Sequence, residues 1–166
     1  MTSNASPITF DLPDEAATAN LARRLAPILR AGDVVALSGD LGAGKTAFAR
    51  ALIRAMTGAD EEVPSPTFTL VQSYETPSGP VFHFDLYRIA APDELVEIGW
   101  DEALAEGIVL VEWPVRAGAL LPDRRLDVAF RFGSESAGRQ VTLTPCARWG
   151  EGRTGFVALQ GGPQGE

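Results

Sequence analysis

Lysine is almost absent from this chain: Lys45 stands alone, and every other basic side chain is arginine. A compositional bias towards Arg, Ala, Gly and Pro accounts for that scarcity, but not for the retention of a lysine at position 45. Cysteine is equally rare. A lone Cys146 excludes an internal disulfide framework and suits a reducing compartment, where it reads as a small, partly buried side chain. The two asparagines, Asn4 and Asn20, lie outside any Asn-Lys-x-Asp sequence, which counts against a guanine-reading GTPase. No apolar run approaches the length of a membrane span, and residues 1–11 lack the basic start and apolar stretch of a signal peptide. Positive charge is in deficit as well. A net charge of −8 argues against direct nucleic-acid binding as the main activity, because phosphate backbones are held chiefly by basic faces. The short pair Arg124-Arg125 reads first as a solvated loop before a strand. These absences point to a cytoplasmic protein without membrane contact, its acidic surface serving a protein partner or solubility.

What is present centres on that one lysine. Gly39-Asp40-Leu41-Gly42-Ala43-Gly44-Lys45-Thr46 fits G-x-x-x-x-G-K-[ST], the phosphate-cradling loop. Lys45 supplies a flexible point charge for β- and γ-phosphates, and the Thr46 hydroxyl is a small oxygen ligand for Mg²⁺. Gly39, Gly42 and Gly44 permit backbone conformations and close approaches that a Cβ would block. Successive N–H groups then point inward at the positive end of the following helix. The flanks supply the context the motif requires. Val34-Val35-Ala36-Leu37 is an apolar run suited to a buried strand. Residues 46–56 read as a helix with Phe48, Leu52, Ala55 and Met56 on one face and Gly58 as its stop.

The length of 166 residues and an apolar content of 45% suit one compact domain over 1–166. Residues 8–12 read as a first strand, and Pro13-Asp14-Glu15 opens a helix to about Arg30, striped by Leu21, Leu25, Ile28 and Leu29. Pro64 and Pro66 make residues 61–69 an irregular loop. Residues 70–75 and 81–87 read as paired strands joined by a turn over 76–80. A short helix runs from Pro92-Asp93 to Gly99, and residues 101–106 add a turn or two. Ile108-Val109-Leu110-Val111 is typical of a central parallel strand. Residues 126–132 and 140–144 make a last hairpin. The core spans about 8–144, and the Gly-rich segment 150–166 reads as a weakly ordered tail. The fold class is therefore α/β, a P-loop NTPase-like sandwich with a mixed, centrally parallel sheet flanked by helices.

Further chemistry belongs to residues outside the loop. Asp85, near the end of the apolar run Val81-Phe82-His83-Phe84, suits a metal-associated aspartate, and equally an exposed strand residue. Glu112 follows the central strand, at the carboxyl end where α/β sheets bind ligands. There it would coordinate Mg²⁺ or orient the attacking water. Thr67 lies in the loop after the phosphate-loop helix, where a hydroxyl reaches a γ-phosphate or merely satisfies loop backbone. His83 reads as a satisfied or half-exposed strand residue rather than a base. Trp113 favours the core, and Arg88 suits either phosphate or a structural ion pair.

Taken in order, the glycine loop, Ser65-Pro66-Thr67-Phe68, His83-Phe84-Asp85-Leu86-Tyr87-Arg88, Glu97-Ile98-Gly99 and Glu112-Trp113-Pro114 resemble the TsaE (YjeE) family. The resemblance runs from about residue 8 to 144. It implies a P-loop ATPase of bacterial threonylcarbamoyladenosine (t6A) synthesis, weak alone and acting with the TsaD–TsaB pair on adenosine 37 of tRNAs that read codons beginning with adenine. Contact with tRNA would be indirect, through the complex. By the same resemblance, ATP and Mg²⁺ are the cofactors. Lys45 and Thr46 bind phosphates and metal, Glu112 is a metal-associated catalytic carboxylate, Asp85 supports the metal site, and Thr67 and Trp113 border the nucleotide. The family commonly carries a further glutamate after Glu-Trp-Pro, where this chain has Val115. Two other readings share the glycine loop: a small-molecule or nucleotide kinase, which would need a phosphoacceptor pocket and usually an Arg-bearing lid, and a nucleotide-gated protein-binding module.

Overall fold

Alternation along the two innermost strands decides how the chain is layered. In the computed structural model, which describes residues 6–58, 62–66, 69–133 and 138–161, these are β2 (Val34–Ser38) and β5 (Ile108–Glu112). Val35, Leu37, Ile108 and Leu110 face one apolar cluster, while Val34, Ala36, Val109 and Val111 face a second on the opposite side. A strand that must be apolar on both faces reads as an unbroken apolar run, and both do.

The remaining elements fill in around them. In chain order they are β1 (Ile8–Leu12), α1 (Glu15–Leu25), α2 (Lys45–Thr57), β3 (Val71–Thr76), β4 (Gly79–Asp85), α3 (Glu94–Glu97), α4 (Trp100–Glu106), β6 (Arg125–Phe132), β7 (Arg139–Cys146) and α5 (Thr154–Gly161). The seven-stranded sheet runs β1-β7-β6-β2-β5-β4-β3. Strands β6, β2, β5 and β4 are mutually parallel, and β3, β7 and β1 add antiparallel edges. Helices α1, α2 and α5 cover the face of Val35 and Leu37; α3 and α4 cover the other with Leu95, Trp100 and Ala103. The mixed, centrally parallel α/β sandwich expected from sequence is the fold.

Several boundaries differ from expectation, each for a local reason. Helix α1, capped by the Asp14 carboxylate accepting from the Ala17 N–H at 2.9 Å, ends at Leu25 rather than near Arg30. Pro27 has no N–H for the helix ladder, and the chain tightens into a 3₁₀ turn over Ala26–Ile28. The buried face of α2 is Phe48, Ala49, Leu52 and Ile53, so it is rotated from the predicted stripe; Ala55 is exposed and Met56 only flanks the core. The turn between β3 and β4 shrinks to Pro77-Ser78, because Thr76 pairs with Gly79. Strand β4 stops at Asp85, leaving Tyr87 and Arg88 in a turn beyond it.

The largest correction concerns residues 150–161 of the expected tail; residues 162–166 lie outside the described residues. Residues 154–161 form α5, and Trp149, Phe156 and Leu159 are buried in the main core. The pin is electrostatic. Arg153 and Asp33 are each 2% exposed at the side chain and form a two-pronged ion pair at 2.5 and 2.8 Å. The Trp149 indole N–H reaches the same carboxylate at 3.2 Å, and the Arg153 guanidinium lies 4.0 Å from the Trp149 ring centroid. Gly-rich flanks hid this packing, since only four anchor residues carry it. Among the described residues no helix is long and apolar enough to cross a membrane.

Candidate functional site

The carboxyl ends of β2, β4 and β5 open onto one cleft, as parallel strands with a shared direction require. The loop after β2 begins at Gly39, whose φ of 139° lies in the glycine-favoured region and whose hypothetical Cβ would stand 2.7 Å from the Phe130 carbonyl oxygen. Glycine at 39 therefore lets the loop lie directly on β6. Gly44, at φ 115°, turns the chain into α2 as its N-cap. Beneath the loop, Phe130 and Phe48 meet edge to face at 5.5 Å.

Within this cradle the Lys45 ammonium folds back on its own loop. It donates to the Gly39 carbonyl and, at 3.3 Å, to that of Asp40. It also lies 3.6 Å from the centroid of the Trp113 ring, a cation–π contact. Burial lowers its pKa from the ordinary lysine value, against the opposing pull of Glu112, Asp85 and Asp40. Trp113 reaches this position through a left-handed backbone (φ 58°) immediately after β5, a conformation uncommon for a bulky residue. The ring packs on Tyr87 at 5.0 Å, so it lines the cleft and only flanks the second apolar cluster.

The carboxylates converge from adjacent strands. Asp85 and Glu112 are register partners on β4 and β5, and both are buried, at 4% and 2% exposure. Glu112 Oε1 accepts from the Thr46 hydroxyl at 2.9 Å, and Oε2 lies 2.7 Å from His83 Nε2. Asp85 Oδ1 accepts from the Tyr87 N–H at 3.0 Å. Asp85 is thus not the exposed strand residue left open by the sequence, and His83, wholly buried, is not half-exposed.

The cleft has a volume of about 420 Å³ and is lined by Asp14, Glu15 and Thr18 from the start of α1, by Leu41, Gly42, Gly44, Lys45, Thr46 and Ala47, and by Asp85, Tyr87, Arg88, Glu112, Trp113 and Arg139. Among the sequence-predicted residues, Lys45, Thr46, Asp85, Glu112 and Trp113 come together there. Thr67 lies outside the described residues. Arg139 was not foreseen: at the start of β7 it donates to the Gly42 carbonyl at 3.0 Å and lies 4.9 Å from the Phe132 ring centroid. Nothing in its sequence neighbourhood marks a residue brought to the loop from 97 positions away.

A divalent cation fits the donor chemistry. The Thr46 hydroxyl, Glu112 and Asp85 are all hard oxygen donors at the loop's helix end. Mg²⁺ ordinarily takes only one or two carboxylates, filling its shell with waters and phosphate oxygens. No group of three His, Cys, Asp or Glu side chains placed to hold a metal ion occurs among the described residues.

The family model for "Threonylcarbamoyl adenosine biosynthesis protein TsaE" matches residues 12–141. A tRNA threonylcarbamoyladenosine biosynthesis protein TsaE of Rickettsia typhi is 45% identical over 102 residues, 61% of this chain and 71% of that one. The protein of the same name from a Nostoc species is 38% identical over 138 residues, 81% of this chain and 83% of its own. The crystal structure of Bacillus subtilis YdiB superposes with a TM-score of 0.78 at 25% identity, covering 97% of this chain and all of that one.

Proposed function

This chain belongs to the TsaE family of threonylcarbamoyl adenosine biosynthesis proteins, and from that premise we propose that it is the ATP-binding and ATP-hydrolysing subunit that acts with the TsaD–TsaB pair. The product served is the threonylcarbamoyl group on adenosine 37 of tRNAs reading codons that begin with adenine. The protein itself meets tRNA only through the complex, in the cytoplasm. The observation that carries the reading is the junction of Thr46 and Glu112 at 2.9 Å. It links the phosphate loop to the end of the central strand, with Lys45 buried alongside.

Each side chain has a part in this reading. Lys45 leaves the Gly39 and Asp40 carbonyls and meets phosphate oxygens, exchanging neutral acceptors for charged ones. Thr46, Glu112 and Asp85 would hold Mg²⁺, which when bound would polarise the phosphate oxygens. The Glu112 carboxylate also orients the attacking water. Trp113 walls the cleft above Lys45, and the start of α1 at Asp14–Glu15 offers the base a place beside the loop. Thr67 would bring a hydroxyl to the γ-phosphate.

The test is ATP hydrolysis by the purified protein, alone and with TsaD and TsaB added. Slow turnover alone and strong stimulation by the pair are expected. Glu112→Ala should keep ATP binding and lose the stimulated hydrolysis. Lys45→Ala should weaken nucleotide binding by about 10- to 100-fold, the worth of a charge-assisted contact. Hydrolysis that ignores the pair, or phosphoryl transfer to a metabolite instead of water, would sink the reading.

A further inference from the structure

His83 holds an unusual position. It lies on β4 between Val81 and Asp85, whose side chains share its face, and its register partner is Leu110 rather than Glu112. The imidazole therefore reaches diagonally, two residues along β5, to put Nε2 at 2.7 Å from Glu112 Oε2. The ring is 0% exposed. Its other nitrogen, Nδ1, is buried and has no hydrogen-bond partner among the described residues.

These contacts decide where the proton sits. A carboxylate oxygen accepts, so the contact is satisfied by an imidazole that donates from Nε2 to Oε2. A proton on Nδ1 would bury an unpaired donor, whereas a bare lone pair there costs less. The Nε2–H tautomer is the arrangement the surroundings satisfy. With Oε2 held by His83 and Oε1 held by Thr46, neither oxygen of Glu112 is free to rotate. The carboxylate plane is fixed before any ligand arrives. Were Thr46 to give up Oε1 to a cation or a water, Oε2 would stay anchored. The carboxylate would then present one defined oxygen to the cleft.

We propose that His83 is a positioning residue, donating from Nε2 to fix Glu112 so that a single oxygen faces the metal and the attacking water. It touches neither substrate nor metal. The inference rests on the reading of Glu112 as a metal-associated catalytic carboxylate. A bystander histidine that merely fills the core would be replaceable by any side chain of similar bulk.

Two measurements test it. His83 is the only histidine in the chain, so a ¹⁵N-edited spectrum of the apo protein contains one native imidazole and reports its tautomer directly. The proton is expected on Nε2; finding it on Nδ1 overturns the proposal. The second measurement is Mn²⁺ binding to the ATP-loaded protein, read by electron paramagnetic resonance. His83→Leu should weaken Mn²⁺ by about 10-fold or more, as loss of a ligand-orienting partner does, while metal-free ATP affinity holds. His83→Gln places an amide N–H near the Nε2 position and should restore binding to within about threefold of the parent, whereas the shorter His83→Asn should not. A leucine variant that binds Mn²⁺ normally, or a glutamine variant as weak as leucine, refutes the positioning role. If His83→Leu fails to fold, the parent's tautomer and the Gln–Asn contrast still decide the matter. Lys45→Ala separates the two layers: undiminished ATP binding there would remove the nucleotide reading itself, whatever His83 does.

Discussion

Lys45 is asked to be charged in a place that discourages charge. Burial pushes its pKa down, and Glu112, Asp85 and Asp40 only partly oppose this. The sign of the consequence is fixed. Between the lowered folded-state value and the ordinary lysine value, the unfolded chain binds more protons than the folded one, so stability of the free protein rises with pH in that window. Nucleotide phosphates favour the ammonium and reverse the shift. Binding ATP in alkaline buffer should therefore take up protons, and affinity should fall as pH climbs through the same window. Calorimetry in two buffers of different ionisation enthalpy checks this: the buffer dependence should be present in the parent and vanish in Lys45→Ala. Lys45 and Thr46 were readable from sequence because their motif is contiguous. Glu112 was readable because a carboxylate at the end of an all-apolar strand has few structural reasons to be there. The link from His83 to Glu112 was not, since it depends on a diagonal between neighbouring strands that no single segment encodes.

The sheet and its helices were largely foreseen, because β2 and β5 are unbroken apolar runs and α2 is bounded by Gly44 and Gly58. Pattern failed where a few anchors do the packing. Helix α5 is held by Trp149, Arg153, Phe156 and Leu159 amid glycines, too sparse for a periodic signal. Its dependence on Asp33 gives a sharp expectation. Arg153→Ala strands a carboxylate that is 2% exposed, and removing one partner of a buried pair costs about 3–5 kcal/mol. Urea denaturation should show that loss, with nucleotide affinity at the cleft unchanged in whatever fraction stays folded. Wild-type stability in Arg153→Ala would mean that α5 is not docked as described. Gly107 marks a second unperiodic constraint: a Cβ there would stand 2.3 Å from the Pro80 carbonyl oxygen, so the α4–β5 junction passes against β4 with no room for a side chain.

Glycine loop, sheet and C-terminal helix share one core, since α2, which follows the loop, packs in the same cluster as α1 and α5. Ligation should therefore stabilise the fold as a unit. Mg²⁺–ATP at a hundredfold excess over its dissociation constant is worth about 2.7 kcal/mol. At this chain length that corresponds to a rise in Tm of roughly 5–10 °C. Scanning calorimetry should show one transition that shifts upward with nucleotide, and a shift cut to roughly half or less in Lys45→Ala at the same concentration. The strand order has a consequence for how such a unit is made. Strand β1 pairs with β7, and β2 keeps an open edge until β6 arrives. The oxygen against which Gly39 lies belongs to Phe130 on β6. On the ribosome, then, the glycine loop emerges long before the surface that shapes it. Until then the nascent chain carries β1 and one edge of β2 without their final partners, and the loop takes its final shape only after β6 has emerged.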